Sequence, residues 1–295
     1  MTTQSRVAAV TGAGGYLGSQ ICQTLESRGW QVIRLTGSGA RSHGQVVSYN
    51  LAAPITPQLS AALASADALI HAAYDLTLTS PADIRRVNVE GTRRLLKAAQ
   101  EAGTGRIIVL SSMSAFTGTT QLYGRAKLEI EAITVESGGC AVRPGLVHGK
   151  QPGGMAGALR KLTTLPVVPV IAGGAGLYTV WEEDLMAAIA LLAEAASLEP
   201  GTISLAHPDK VTLVELMNAF AADENRRRRF VPVPWQLVYS ALRTGEFMRL
   251  RLPFRADSLL GLVHTAPGLI GADELARLGV TMHAFQPATA LSGER

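Results

Sequence analysis

Short apolar runs alternate with stretches of helical periodicity through the first half of the chain. Runs rich in Val, Ile and Leu predict buried strands, whereas apolar side chains that recur every three or four positions predict amphipathic helices. The predicted strands are Val7–Val10, Gln31–Leu35, Val46–Tyr49, Ala68–His71, Arg106–Leu110 and Cys140–Arg143. The predicted helices are Gly15–Ser27, Gln58–Leu63, Ile84–Ala102 and Tyr123–Glu136. This alternation predicts an α/β fold of the Rossmann type, in which helices cover both faces of a doubly wound parallel sheet.

The pattern changes after about residue 150, where Pro and Gly residues interrupt the chain repeatedly. A helix is predicted at Asp184–Ala196, with Asp184 as its N-cap. A strand at Ile203–Ala206 and a helix at Leu213–Ala222 are predicted to follow.

This change divides the chain into two expected parts. Residues 1–150 should form a Rossmann-type domain, to which a segment at about 184–206 returns. Residues 151–295 should form mainly a smaller, discontinuous C-terminal lobe. Because open α/β sheets bind ligands at the carboxyl ends of their strands, we expect this lobe to close over that edge and bind the substrate.

Composition narrows the possible partners. The chain has 295 residues, 47% of them apolar, and only 17% are charged, although the formal net charge is +4. The basic run 226–229 has no nucleic-acid motif or aromatic platform beside it, so no nucleic-acid partner is predicted. The two cysteines, Cys22 and Cys140, form no CxxC or His-Cys cluster, so neither a metal site nor a disulfide framework is predicted.

No targeting or spanning segment is predicted. The N-terminus runs directly into a strand without the features of a signal peptide. The longest uncharged stretch, 162–181, is broken by Pro and Gly residues, which does not suit a transmembrane helix. We therefore expect a soluble, cytoplasmic protein with no membrane partner.

A glycine-rich motif, TGAGGYLG at 11–18, joins the first predicted strand to the first predicted helix. Gly12 would allow the tight turn, Gly15 would let the backbone approach a pyrophosphate, and Gly18 would let the helix pack close to the sheet. In this strand-turn-helix setting the motif predicts a dinucleotide site, so that residues 1–150 should form a dinucleotide-binding Rossmann domain. No Gly-Lys-Ser/Thr follows, which excludes a P-loop.

The end of the second strand bears on the choice of dinucleotide. A carboxylate there favours NAD by binding the ribose 2′-hydroxyl. The stretch 35–41 offers no acid, and a 2′-phosphate would find hydroxyl groups and Arg41, with Arg34 as the alternative. Arg41 can equally be a surface loop residue. NAD and NADP both stay open, with a lean to NADP.

Tyr123 and Lys127 are four residues apart, so a helix places both on one face. A phenol with a pKa near 10 is a poor base at neutral pH, and lowering that pKa by about three units needs roughly 4 kcal/mol. An ammonium group and a positive nicotinamide in a closed, desolvated cleft would stabilise the phenolate. Ser112, or its neighbour Ser111, follows a strand and would hydrogen-bond the substrate oxygen.

Together these motifs resemble the extended branch of the short-chain dehydrogenase/reductase superfamily, the NAD-dependent epimerase/dehydratase-like proteins that include nucleotide-sugar ketoreductases and epimerases. Further matches, in the expected order, are LIHAA at 69–73, NVEGT at 88–92, YGRAK at 123–127 and RPGLVHG at 143–149. The matches span most of the chain. The resemblance implies that Tyr123 is the general acid/base, that Lys127 binds the nicotinamide ribose, and that Ser112 orients the reacting carbonyl.

The resemblance also assigns the binding residues. Asn50 and Leu51 stand where the family often places Asp and an apolar residue against adenine. The candidate cofactor-binding residues are Gly12, Gly15, Tyr16, Leu17, Gly18, Arg41, Asn50, Leu51, Ala72, Ala73, Tyr123, Lys127 and Pro144. Tyr74, Met113 and His148 would line the substrate cleft.

Two departures from the family pattern bear on the substrate. Met113 and Ser114 stand where dehydratases of this branch place Asp-Glu, so elimination of water is not expected. Leu146 stands where many nucleotide-sugar members carry Asn, so a usual contact to uridine diphosphate is missing.

The function expected from the sequence is hydride transfer between NAD or NADP and a secondary alcohol or ketone. Reduction of a keto-sugar linked to a nucleotide is the first prediction. Three alternatives stay open: a nucleotide-sugar epimerase with retained NAD, a reductase of a non-sugar carbonyl such as a polyketide or lipid ketone, and a non-catalytic dinucleotide-binding protein. The family also implies a homodimer.

Overall fold

A computed structural model describes residues 5–37, 44–150, 152–172, 176–223, 228–248, 250 and 254–286. The strands are β1 Val7–Thr11, β2 Gln31–Thr36, β3 Gln45–Ser48, β4 Ala68–His71, β5 Arg106–Leu110, β6 Cys140–Pro144, β7 Leu146–His148, β8 Val167–Ala172, β9 Thr179–Trp181, β10 Gly201–Leu205 and β11 Arg229–Pro234. The helices are α1 Tyr16–Ser27, α2 Pro57–Ala64, α3 Pro81–Ile84, α4 Glu90–Glu101, α5 Leu122–Glu136, α6 Gly154–Leu162, α7 Glu182–Glu194, α8 Leu213–Asp223, α9 Trp235–Phe247, α10 Ala256–Val263 and α11 Ala272–Arg277. A π-helical segment, Arg85–Val89, joins α3 to α4.

Seven strands form one parallel sheet in the order β10-β6-β5-β4-β1-β2-β3. The chain builds the sheet outward from β1 in one direction and then from β4 in the other. Such a reversal leaves a crevice at the carboxyl ends of β1 and β4, where α/β proteins of this class bind ligands. The predicted Rossmann-type parallel sheet is confirmed.

Both faces of the sheet are covered because successive side chains of a strand point to opposite sides. Ile70 of β4 belongs to a buried cluster with Ile21 of α1 and Leu185 of α7. Leu69, its neighbour in β4, belongs to a second cluster with Leu95 of α4. Apolar side chains on both faces of the strands therefore fix α1 and α7 on one side of the sheet and α2, α4 and α5 on the other.

β10 extends the sheet at its edge, where Gly201 is in register with Cys140 of β6. The helix before it, α7, begins at Glu182, with Trp181 at the N-cap position. The prediction that Asp184 caps this helix is wrong, because the helix starts two residues earlier. The Asp184 carboxylate instead accepts a 2.7 Å hydrogen bond from the backbone N–H of His283.

The remaining strands form two small parallel pairs, β8 with β11 and β7 with β9. α6, α8 and β8 share a separate buried cluster that includes Leu159, Val168 and Phe220. The division of the chain into residues 1–150 and 151–295 stays a prediction. In the ranges given above, no helix has the length and apolar character needed to cross a membrane. Cys22 and Cys140 are both buried and unpaired.

We expect Gly91→Ala to destabilise the fold. A Cβ at Gly91 would lie 2.4 Å from the Leu51 carbonyl oxygen, so α4 would have to move away from the turn after β3. The free energy of unfolding, measured in urea, should fall by about 2 kcal/mol. Gly201→Ala is the matched control, since a Cβ there meets nothing within 4 Å. Equal stability of the two variants would contradict this packing.

Candidate active site

A cavity of about 530 Å³ lies at the carboxyl edge of the sheet. Residues 111–114 after β5 and 144–147 at and after the end of β6 form one side, and Tyr16 and Leu17 at the start of α1 form another. Residues from α6 and from 254–265 close it from the C-terminal part of the chain. The candidate site is therefore assembled from both halves of the sequence.

The glycine turn between β1 and α1 has the shape that a dinucleotide pyrophosphate needs. Gly12 has φ +67°, a left-handed value that favours glycine. A Cβ at Gly18 would lie 2.1 Å from the Gly12 carbonyl oxygen, so the helix can follow the turn this closely only without a side chain there. Gly15 is the N-cap of α1 and provides no side-chain cap. The N–H groups of the first helical turn are thus left for an anionic ligand, as phosphate binding requires.

A buried histidine connects this turn to the loop after β4. The Thr11 Oγ1 accepts hydrogen bonds from the Ala72 and Ala73 N–H groups, both at 3.1 Å. Thr11 therefore donates its own proton to Nδ1 of His71, 2.7 Å away, and His71 Nε2 lies 2.9 Å from the Thr92 hydroxyl. Burial lowers the pKa of His71 to about 3, so the ring is neutral. Sequence reasoning placed His71 in the strand without assigning this link.

Asn50 and Leu51, the residues predicted to lie against adenine, follow β3 in a turn. Asn50 is exposed, and its Oδ1 accepts a 2.8 Å hydrogen bond from the Ala52 N–H within the turn. Leu51 is buried, and its carbonyl accepts a 2.7 Å hydrogen bond from Arg94. The side-chain oxygen of Asn50 is thus engaged in the turn, whereas the Leu51 side chain belongs to the core.

The residues proposed to recognise a 2′-phosphate are not brought to the cleft. Arg41 lies outside the described residues. Arg34 makes two hydrogen bonds to the Glu26 carboxylate, at 2.6 and 2.8 Å, so it is not available to a phosphate. The choice between NAD and NADP is left open.

Tyr123 and Lys127 lie on one face of α5, next to Tyr74. The Lys127 side chain is buried, its Nζ donates a 2.6 Å hydrogen bond to the Leu110 carbonyl, and it lies 4.7 Å from the centre of the Tyr74 ring and 5.7 Å from that of Tyr123. Desolvation lowers the pKa of Lys127 to about 7, against the effect of Glu131. Desolvation also raises the pKa of Tyr123 to about 12, partly offset by Ser112. The phenol is therefore protonated at neutral pH, which suits a proton donor.

The structure separates the two candidate serines. The Ser111 hydroxyl donates to the Glu131 carboxylate, in the buried interior between α5 and β5. The Ser112 hydroxyl accepts a 3.1 Å hydrogen bond from the Ser114 N–H and lies beside the Tyr123 phenol. Ser112 is thus the serine next to the proposed acid.

Two of the three residues predicted to contact the substrate line the cavity. Tyr74 and Met113 line the cavity with Pro144, and the Tyr74 ring packs edge-on against Tyr123 at 5.0 Å. His148 does not reach it.

The expectation that His148 lines the cleft is wrong, because the ring is held among aromatic side chains behind it. Its centre lies 4.3 Å from Trp181 and 4.9 Å from Phe285, and the residue is only 2% exposed.

Sequence reasoning missed two residues of the C-terminal segment. The Asp257 carboxylate accepts hydrogen bonds from the N–H groups of Leu122 and Tyr123, at 2.8 and 3.2 Å, and so caps the helix that carries Tyr123. Nη1 of Arg255 donates to the carbonyls of Leu76 and Leu78, at 2.6 and 2.9 Å. No local pattern signals these contacts, since Asp257 is 134 residues from Tyr123.

The lining of the cavity is mainly apolar. Among the described residues its charged side chains are Arg255 and Asp257, one of each sign, and both are hydrogen-bonded within the protein. The apolar lining residues are Leu17, Leu76, Leu78, Ile84, Met113, Leu146, Val147, Met155, Ala156, Ala158, Leu177, Phe254 and Leu262. Across the part of the chain that the structure describes, no cluster of three or more His, Cys, Asp or Glu side chains could hold a metal ion.

Comparisons with known proteins agree with this architecture. The sequence profile of the NAD dependent epimerase/dehydratase family matches residues 8–162, more than half of the chain. A ceramide reductase of Caulobacter vibrioides (strain NA1000 / CB15N) is 26% identical over 244 residues, which cover 79% of this chain and 76% of that protein.

Two solved structures share the fold over nearly the whole chain. The UDP-glucose 4-epimerase of Thermus thermophilus in complex with NAD has a TM-score of 0.68 and 19% identity, covering 98% of this chain and 100% of that one. The terminal R domain from the myxalamid PKS-NRPS biosynthetic pathway has a TM-score of 0.73 and 18% identity, covering 99% of this chain and 91% of that one. At these identities the likeness shows the fold.

We expect His148 to make the protein less stable in acid. Burial lowers the pKa of His148 to about 4, and its Nε2 has no hydrogen-bond partner among the residues that the structure describes. An unfolded histidine titrates near 6.5. The unfolded chain therefore binds a proton between about pH 6.5 and 4 that the folded chain does not, and stability is lost as pH falls through this window.

His148→Phe should reduce that loss by about 1.4 kcal/mol per pH unit between roughly pH 6 and 5, measured by urea unfolding. Phe also suits the aromatic surroundings of this position. His264→Asn, at an exposed position, is the control and should keep the wild-type loss. An unchanged pH dependence in His148→Phe would exclude the buried neutral state.

Proposed function

The chain belongs to the NAD dependent epimerase/dehydratase family, and from this premise we propose that it reduces the ketone of an apolar, non-sugar substrate to a secondary alcohol. The observation that carries the proposal is the mainly apolar cavity that ends at Tyr123, Ser112 and Tyr74. A long hydrocarbon substrate would bury its chain there with its carbonyl against the two hydroxyl groups.

The dinucleotide, when bound, supplies the hydride that reaches the carbonyl carbon. The glycine turn with Gly12, Gly15 and Gly18 is proposed to hold its pyrophosphate. The remaining proposed contacts are Tyr16, Leu17, Asn50, Leu51, Ala72, Ala73, Tyr123, Lys127 and Pro144. The lean to NADP, which depended on Arg41, stays a prediction.

Tyr123 is proposed to donate the proton. Its phenol is protonated at neutral pH because desolvation raises its pKa, so it can transfer the proton to the carbonyl oxygen as negative charge develops there. Ser112 would donate a hydrogen bond to the same oxygen, and this bond would stabilise the developing charge in the mainly apolar cleft. The ammonium group of Lys127 would then stabilise the phenolate that remains.

A nucleotide-sugar substrate is the second candidate. The likeness to a UDP-glucose 4-epimerase over nearly the whole chain favours it. The described lining, however, holds Arg255 as its single cation, and its Nη1 is already bound to two carbonyls. A diphosphate needs cationic or N–H donors, so we give the apolar ketone preference. The cytoplasmic location and the homodimer stay predictions.

Substrate chain length tests this preference. With NADH and NADPH in parallel, kcat/KM for a series of aliphatic methyl ketones should rise about fourfold for each added methylene until the cavity is filled, because each buried CH₂ contributes about 0.8 kcal/mol. A 4-keto sugar linked to UDP should be turned over slowly or not at all. Turnover of the UDP-sugar alone would contradict the proposal and favour the second candidate.

Tyr123→Phe tests whether the protein is an enzyme of this type. We expect turnover to fall by about 100- to 10,000-fold, since the proton donor is removed. Dinucleotide affinity, measured by calorimetry, should change little. Tyr239→Phe on α9 is the control and should keep wild-type turnover. If Tyr123→Phe also remained fully active, a different group would be the acid.

A further inference from the structure

α5 presents a third polar residue in line with Tyr123 and Lys127. Glu131 follows Lys127 by four residues, as Lys127 follows Tyr123, so all three lie on one face of the helix. Each of the three contacts a residue at or directly after the end of β5. Tyr123 lies beside Ser112, Lys127 donates to the Leu110 carbonyl at 2.6 Å, and Glu131 accepts from the Ser111 hydroxyl.

Glu131 is buried as half of an ion pair. It is 5% exposed, and Arg143 of β6 donates to it from Nε at 2.7 Å and from Nη2 at 2.6 Å. A buried carboxylate is costly unless charge and hydrogen bonds compensate it. Two hydrogen bonds from Arg143 and one from Ser111 compensate this carboxylate, which lies one helical turn from Lys127.

We propose that Glu131 is a positioning residue of the active site, which fixes the strand end that carries Ser112 and holds Lys127 charged beside Tyr123. This inference rests on the reductase function proposed above. Glu131 itself contacts neither the cavity nor the proposed reacting atoms.

The first part of the proposal, that Glu131 positions Ser112 (the positioning part), follows from the hydrogen bonds of the two residues before Ser112. The Leu110 carbonyl is bound by Lys127, the Ser111 N–H donates to the Val142 carbonyl at 2.6 Å, and the Ser111 side chain is held by Glu131. Without Glu131 the Ser111 side chain loses its hydrogen bond to α5, and the strand end is held to this helix by Lys127 alone among these bonds. A shift of about 1 Å in a reacting group can cost roughly 100-fold in rate.

The second part of the proposal, that Glu131 holds Lys127 charged (the charge part), follows from the groups around Lys127. His71, Tyr74 and Tyr123 face it from β4, the loop after β4 and α5, and all are neutral at pH 7 because desolvation shifts their pKa values away from that pH. Among the described residues Glu131 is therefore the negative charge that opposes the desolvation of Lys127. Its removal should convert Lys127 to the neutral amine at neutral pH.

Three variants separate the two parts. Glu131→Gln keeps the shape and removes the charge. Ser111→Ala removes the bond to the strand end and keeps the charge. Glu129→Gln is the matched control, because Glu129 lies two residues away on α5, is 45% exposed, and pairs with Arg85 at 3.1 Å on the surface.

The first readout is independent of substrate. In protein labelled with ¹³C-lysine, and with the Lys127 signal assigned by its loss in Lys127→Arg, the titration midpoint of Lys127 should fall by about one unit or more in Glu131→Gln. It should stay at the wild-type value in Ser111→Ala and Glu129→Gln. An unchanged midpoint in Glu131→Gln overturns the charge part.

The second readout is kinetic, with the ketone and dinucleotide used above. At pH 7 we expect kcat to fall about tenfold or more in Glu131→Gln and in Ser111→Ala, with the KM for the dinucleotide unchanged. Lowering the pH should restore part of the loss in Glu131→Gln, because Lys127 is protonated again, but not in Ser111→Ala. Wild-type kcat in both variants overturns the positioning part.

Should Glu131→Gln fail to fold, Glu131→Asp decides the same question. It keeps the charge and shortens the reach, so the Lys127 midpoint should stay while kcat falls, and an unchanged kcat would contradict the proposal. If the midpoint moves as expected but the wild-type protein turns over no ketone, the proposed function fails and the coupling of Glu131 to Lys127 stands.

Discussion

Lys127 carries an ammonium group into the protein interior, where it contacts the Leu110 carbonyl and two aromatic rings. A charge in such a place is stable only where hydrogen bonds, ring faces and an opposite charge replace water. All three must therefore be held at fixed positions, by β5, the loop after β4 and α5. The buried side chains of Leu69 and Leu95 help to hold these elements together. The chemistry proposed for the cleft therefore depends on a well-packed core, which keeps the groups around Lys127 in place.

The parallel sheet and the glycine turn could be predicted closely from the sequence. The first strand is predicted at Val7–Val10 and observed at Val7–Thr11. The agreement is close because a strand buried on both faces is a continuous apolar run, which can be recognised in the sequence. The glycines of the turn could be predicted because the backbone requires glycine at fixed positions there, and a short sequence motif shows these positions directly. The helix expected at Ile84–Ala102 contains a π-helical segment at Arg85–Val89, and a regular apolar period cannot show such a change.

The contacts that complete the site could not be predicted, because they join residues far apart in the chain. Asp257 caps α5 across 134 residues, and Phe285, near the end of the described chain, packs against the ring of His148. Ser111 and Ser112 are indistinguishable as sequence, and only the packing of Glu131 against β5 shows which hydroxyl is engaged. Local sequence patterns predict the helices and strands. The long-range contacts between side chains depend on how these helices and strands pack together.

Under the proposed function, this cleft directs a hydride from the dinucleotide to the carbonyl carbon of an apolar ketone. The most direct measurement uses a reduced dinucleotide deuterated at the transferable position of the nicotinamide ring, with mass spectrometry of the alcohol formed by the wild-type protein. We expect one deuterium on the carbinol carbon and none elsewhere. Alcohol without deuterium, or no alcohol from any ketone in the chain-length series, would contradict it.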